Sequence, residues 1–198
     1  KSPHITIEEA QREALRVELL LSRVRAFLAL CGLIAVYLDP TSPTRYAALA
    51  YLFLALYALY SASIVVFSRT RTFLITRRWQ LSSIAIDFIW ATMVTLMTEG
   101  PNSPFFVFFV FVLFAMAFRW GWAGALPGTA VVVGVHVLEA LIVLRTPGPV
   151  EQLIQNDFEL NRFIIRAGYL SVVGLLAGYL AENERVHRAR LVTISTLL

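Results

Sequence analysis

The chain has 198 residues, of which 58% are apolar and only 15% charged, and its mean hydropathy is +0.70. Soluble domains carry roughly 45–50% apolar residues, so a water-coated globule of this size is excluded. The formal charge of +4 is spread between apolar blocks, a pattern of topology determinants facing anionic lipid and not of a nucleic-acid-reading surface. Cys31 is the only cysteine, which excludes an intrachain disulfide or a thiolate metal site. Because it lies inside an apolar block, it is expected to be a small buried hydrophobe. No cleavable signal peptide is visible, since the first apolar block follows a long charged segment. The chain begins at Lys1 instead of Met and ends at Leu198 within a helical pattern, so a longer parent protein is expected.

In chain order, Thr6-Ile7-Glu8-Glu9 reads as a capping box opening a helix. Ala10, Ala14, Val17, Leu21 and Val24 then recur every three or four residues, with Arg12, Arg16, Arg23 and Arg25 interspersed. This predicts an amphipathic interfacial helix over 1–23 that feeds the first span, Val24 to Leu38. Asp39-Pro40 ends that span. A second runs from Tyr46 to Ser68, followed by the basic stretch RTRTFLITRRW. A third runs from Gln80 to Thr98 and stops at EGPNSP, Glu99 to Pro104. The fourth, Phe105 to Trp122, holds seven of the fourteen phenylalanines. The fifth, Ala123 to Leu144, has Pro127 in its first turns, where a proline costs less than in mid-helix. A longer loop leads to the sixth, Phe163 to Ala181.

The expected fold is therefore all-α: a polytopic six-transmembrane-helix bundle over 24–181, with an amphipathic N-terminal helix and a C-terminal signalling helix starting at 182–198. Lipid-exposed backbone must satisfy its hydrogen bonds within each segment, which leaves helices or a closed barrel, and these blocks are too long and continuous for barrel strands. Thirteen Lys and Arg residues fall on one side of such a bundle and three on the other, Arg45, Arg145 and Arg162. The asymmetry places both termini on the cytoplasmic side.

Ionisable residues inside spans are costly and mark candidate sites. Four stand out: Asp87 in the third span, His136 and Glu139 in the fifth, and Arg166 in the sixth. His136 and Glu139 are three apart and share a helix face. At ~1.5 Å of rise per residue, Glu139 lies ~8 Å and Arg166 ~5 Å from the outer end, near enough to form a structural ion pair. On the same count His136 lies ~12 Å and Asp87 ~17 Å deep, giving a polar column that opens outward. A structural pair with one satisfied histidine and a ligand or proton site are both open readings. No metal site is expected, because no second ligand with matching spacing accompanies His136.

The loop EGPNSPFF is the most distinctive motif. Gly100, Pro101 and Pro104 force a tight turn whose freed amides, with Ser103, suit a polar headgroup, and Phe105 and the phenylalanines after it supply an aromatic wall. The alternative is an ordinary hairpin followed by lipid-facing rings. In the sixth span Ala167, Ser171, Gly174, Gly178 and Ala181 recur at spacings of four, three, four and three. Gly174 and Gly178 let a neighbouring helix approach closely, either within the bundle or from a second subunit. Beyond it, Leu191, Ile194 and Leu198 continue an apolar seam with heptad-like spacing.

A multi-span bundle with a charged helix leaving its last span resembles the membrane sensor modules of bacterial two-component histidine kinases. The outer loop after the third span looks like the quinone-linked motif of the redox-responsive RegB-type kinases: two glycines, two variable residues, then Asn-Pro-Phe. Gly100 takes the second glycine, Pro104 the proline and Phe105 the phenylalanine, while Glu99 and Ser103 stand where that pattern has glycine and asparagine. The runs SPFFVFFVF and FELNRFIIR…GYLAENE are also similar to membrane segments of sensor kinases. The resemblance implies a sensory input module in the bacterial inner membrane, multi-pass with both termini inside, working in a phosphorelay. It implies a homodimer joined to cytoplasmic kinase domains of the same chain, and a quinone or lipid as the candidate ligand. The partners expected are thus lipid bilayer and a second copy, with no nucleic acid. No phospho-accepting histidine box or Gly-rich nucleotide loop occurs in these residues, so no catalysis is expected of them. A cyclase or diguanylate cyclase as output, or a self-contained transporter or membrane enzyme, are the alternatives. Against transport stands the lack of an internal repeat.

Overall fold

The computed structural model describes residues 3–38, 47–67, 76–98, 103–145 and 160–197, with the side chains at 3–13, 47, 50, 67, 142–145, 160 and 188–197 left out. The Thr6 capping box, Gly100, Pro101 and the seam from Leu191 to Leu198 lie outside what is described. Among the described residues there are six α-helices and no strand: α1 (Pro3–Leu38), α2 (Ala47–Phe67), α3 (Arg77–Thr98), α4 (Val107–Trp120), α5 (Trp122–Arg145) and α6 (Leu160–Leu197), with a 3-10 turn, Pro104–Phe106, leading into α4. Among the described residues four segments are long and apolar enough to cross a membrane: Ala14–Leu38, Arg77–Thr98, Trp122–Leu141 and Asn161–His187. Tyr51–Val66 of α2 and Pro104–Trp120 are apolar but shorter.

The helix expected over 1–23 and the first span expected from Val24 form one continuous element. No proline lies between Pro3 and Pro40, so α1 runs through without interruption, and its apolar window begins already at Ala14. The connection between α4 and α5 takes one residue. Gly121 adopts φ +61°, a region costly for a residue with a Cβ, and its N–H bonds the Ala117 carbonyl at 2.6 Å.

The central element is α4, which packs against α1, α3, α5 and α6, while α1 and α3 flank α2 and α6 lies along α5. That position decides the fate of the phenylalanines. Phe105, Phe108, Phe109 and Phe111 are buried, and only Phe118 of the seven is exposed. Phe108 meets Tyr57 edge-on and Phe109 meets Phe88 edge-on, each with centroids 5.8 Å apart. The reading of these rings as lipid-facing is thereby corrected. Cys31 is corrected in the opposite sense, since it lies exposed on the outer face of α1.

The surface is the inverse of a soluble protein's. Arg25 and Asp87 are each 1% exposed, whereas Phe27 is 64% and Ile165 62% exposed. On α6 the outward face carries Ile164, Ile165, Tyr169, Val172, Leu176 and Tyr179, and the inward face Leu170, Gly174, Ala177 and Gly178. Charges inside and hydrocarbon outside is the arrangement that a lipid solvent imposes. The chain is a helical membrane protein.

Candidate functional site: two buried polar centres

On α1 the buried positions among the described residues are Glu18, Leu21, Ser22, Arg25, Ala29, Gly32 and Val36, a stripe at helical spacing that contains two opposite charges. The facing stripe of α3 contains Ser83, Asp87, Thr95 and Thr98. These stripes build the first centre. Arg25 donates to both Asp87 oxygens, Nε to Oδ1 at 2.7 Å and Nη2 to Oδ2 at 2.6 Å, and Nη2 also donates to Ser83 Oγ at 2.7 Å. The Tyr57 hydroxyl of α2 donates to Asp87 Oδ1 at 2.9 Å. The guanidinium lies between the Tyr60 and Phe111 rings, 5.5 and 5.6 Å from their centroids. Beside it Arg119 of α4 grips Glu18 through Nε at 2.7 Å and Nη2 at 2.6 Å. Ser83 Oγ also lies 3.4 Å from Arg119 Nη2, so one hydroxyl joins the two pairs.

Two bidentate pairs, charge-balanced and with a donor on every carboxylate oxygen, make a clamp across α1, α2, α3 and α4. Arg25 and Arg119, two of the thirteen basic residues counted toward the cytoplasmic side, are interior groups. The spacing of Glu18, Ser22 and Arg25 on one face of α1 was the available signal. Asp87 is drawn into this clamp, so the expected column running from Asp87 through His136 to the outside divides into two centres with separate partners.

The second centre forms where α5 and α6 meet α3 and the 3-10 turn. Thr95 donates to Glu139 Oε1 at 3.1 Å. His136 Nδ1 is 3.7 Å from Glu139 Oε2, close enough for charge interaction and too long for a hydrogen bond. Both ring nitrogens of His136 and Oε2 of Glu139 are buried without a hydrogen-bond partner among the described residues. The imidazole stacks on Phe163 of α6, with centroids 5.0 Å apart and planes 17° from parallel. Nearby, Ser103 caps the 3-10 turn by accepting the Phe105 N–H at 3.1 Å and shares a short hydrogen bond with Thr98. Arg166 of α6 donates to the Ser103 carbonyl at 2.9 Å and lies over the Phe106 ring at 5.2 Å.

Glu139 and Arg166 thus have other partners, and a pair between them is not among the ion pairs of the described residues. Ser103, Pro104 and Phe105, three of the eight residues of the distinctive loop, border the same centre. No three His, Cys, Asp or Glu side chains gather as a metal-binding group among the described residues. The two centres differ in kind. In the first every carboxylate oxygen has a donor and only the neutral Tyr60 hydroxyl lacks a partner, whereas the second has a carboxylate oxygen and two imidazole nitrogens unused at its heart. An orphaned buried polar group costs about 1–3 kcal/mol, a cost tolerated where a proton or a ligand's polar group is to be taken up.

No protein family, curated protein or solved structure matches this chain.

Proposed function

We propose that this chain is the membrane input module of a signalling protein, a sensor histidine kinase of the RegB-like kind. In this reading all six helices cross the bacterial inner membrane with both termini inside, and α6 carries the signal to cytoplasmic kinase domains of a homodimer. The observation that supports it best is the grip of the second centre on α6. His136 stacks on Phe163 and the Ser103 carbonyl holds Arg166, while α6 continues unbroken over 38 residues, about 57 Å at helical rise. A change at one end is therefore delivered to the other as a rigid displacement.

The stimulus best suited to the centre is a membrane-soluble molecule with a polar head, such as a quinone, presented to the unused groups of His136 and Glu139. A tenfold change in output requires only about 1.4 kcal/mol of differential binding between two packings of α6. The shorter segments of α2 and α4 span by local bilayer thinning and snorkelling of their flanking residues. The full-length protein in proteoliposomes, supplied with radiolabelled ATP, tests the reading. Histidine-linked phosphate whose level shifts severalfold in His136→Phe and in Arg166→Gln is expected. Absence of acid-labile phosphate would overturn the kinase assignment, and phosphorylation indifferent to both substitutions would overturn the relay through α6.

A further inference from the structure

At the opposite end of the bundle from the second centre, α3, α4, α5 and α6 border a cleft of about 550 Å³ lined by Arg77, Gln80, Leu81, Arg119, Trp120, Ala123 and Arg185. Four helices contribute to it, and three of the seven side chains are arginines. We infer that this cleft binds the phosphate of an anionic phospholipid, between Arg77 and Arg185.

The charge balance comes first. Arg119 is already neutralised by Glu18. Arg77 is exposed and makes no hydrogen bond or ion pair among the described residues. Arg185 is exposed and spends one donor, Nη2, on the Arg119 carbonyl at 2.8 Å, which aims the guanidinium at the cleft and leaves its other N–H groups available. The carboxylate of Glu182 lies beside Gly121 with the Arg185 guanidinium. Three arginines against the carboxylates of Glu18 and Glu182 leave one positive charge, which matches the single negative charge of a phosphodiester. The first turn of α3, opening at Arg77, adds the positive end of its helix dipole.

Depth in the membrane selects the lipid. Arg77 opens one apolar segment, Trp120 closes another, Ala123 lies at the start of a third and Arg185 near the end of a fourth. The cleft therefore sits where the hydrocarbon layer ends. Trp79, Trp120 and Trp122 surround that level, as tryptophans do at headgroups. The apolar lining from Leu81 and Trp120 suits a glycerol backbone and the base of an acyl chain better than a free inorganic ion.

The test uses the full chain in nanodiscs of phosphatidylglycerol or of phosphatidylcholine, with native mass spectrometry for retained lipid and thermal unfolding as a second readout. Wild type should retain phosphatidylglycerol and unfold several degrees higher in it. In Arg77→Gln with Arg185→Gln, retention should fall roughly tenfold or more, each of the two cleft arginines contributing a severalfold factor toward a phosphate held between them. Arg23→Gln, on the exposed face of α1, should change neither readout. An arm with phosphatidylcholine plus millimolar inorganic phosphate distinguishes the sources, and equal stabilisation there would overturn the lipid assignment. Equal behaviour of wild type in the two lipids would overturn the site, and that comparison needs no variant to fold. An effect of Arg23→Gln as large as that of the double variant would reduce the preference to general surface charge and overturn it as well.

Discussion

Asp87 shows what a carboxylate needs in order to persist at the centre of a membrane bundle. It accepts two hydrogen bonds from Arg25 and one from Tyr57, so its charge is compensated on both oxygens. Removing one member leaves the other stranded in low dielectric. Asp87→Asn is expected to lower stability by ~3–5 kcal/mol, as for other broken buried pairs. Replacing both charges, Arg25→Met with Asp87→Leu, is expected to be far less harmful than the sum of the single changes, because no orphan remains. Reversible unfolding in mixed micelles measures both. Additive losses would show that the pair is not a unit. Glu139 provides the contrast, since only one of its oxygens has a hydrogen-bond donor among the described residues.

At the level of elements, α6 is held to α5 by its small residues. A Cβ added at Gly178 would lie 2.8 Å from the Ala125 Cβ and 2.9 Å from the Trp122 ring, and one at Gly174 would collide with the Thr129 hydroxyl. Gly168, on the same helix, has nothing within 4 Å of that position. The seam therefore serves an intrachain contact, and a second copy of the protein would have to dock on another face. Gly178→Leu is expected to cost about 1–3 kcal/mol through overpacking. Gly168→Ala should be neutral or stabilise by up to ~1 kcal/mol, because alanine is the better helix former. Thermal unfolding of the two variants side by side checks this. Equal effects would mean that α6 is not seated on α5 through Gly178.

For the whole molecule, the interior placement of Arg25 and Arg119 trims the charge asymmetry behind the proposed topology. Thirteen minus these two leaves eleven basic residues against three, still a strong bias toward one side. Single cysteines introduced at Arg71 and Arg190 on a Cys31→Ala background should react with an impermeant maleimide only after the cytoplasmic face is opened. Labelling of either in intact cells would invert the orientation. Cys31 must be removed first, since it is exposed on α1 and not sequestered in the core.

Hydropathy alone was enough to locate all six helices, the stop at Thr98 and the reversal before α5. Each of these depends on the local cost of placing backbone and side chains in lipid, which can be read one segment at a time. It also marked Asp87, His136, Glu139 and Arg166 as expensive and therefore meaningful. The choice of partners belongs to the tertiary structure. Arg25 finds Asp87 across 62 residues and Arg119 finds Glu18 across 101, separations over which no sequence periodicity carries information. Polarity itself also changes meaning in a bilayer. On α1 the sequence shows arginines that look like a solvated face, yet Arg25 turns inward, because in hydrocarbon the core is where a charge meets its counter-charge and the surface is where leucine and phenylalanine belong.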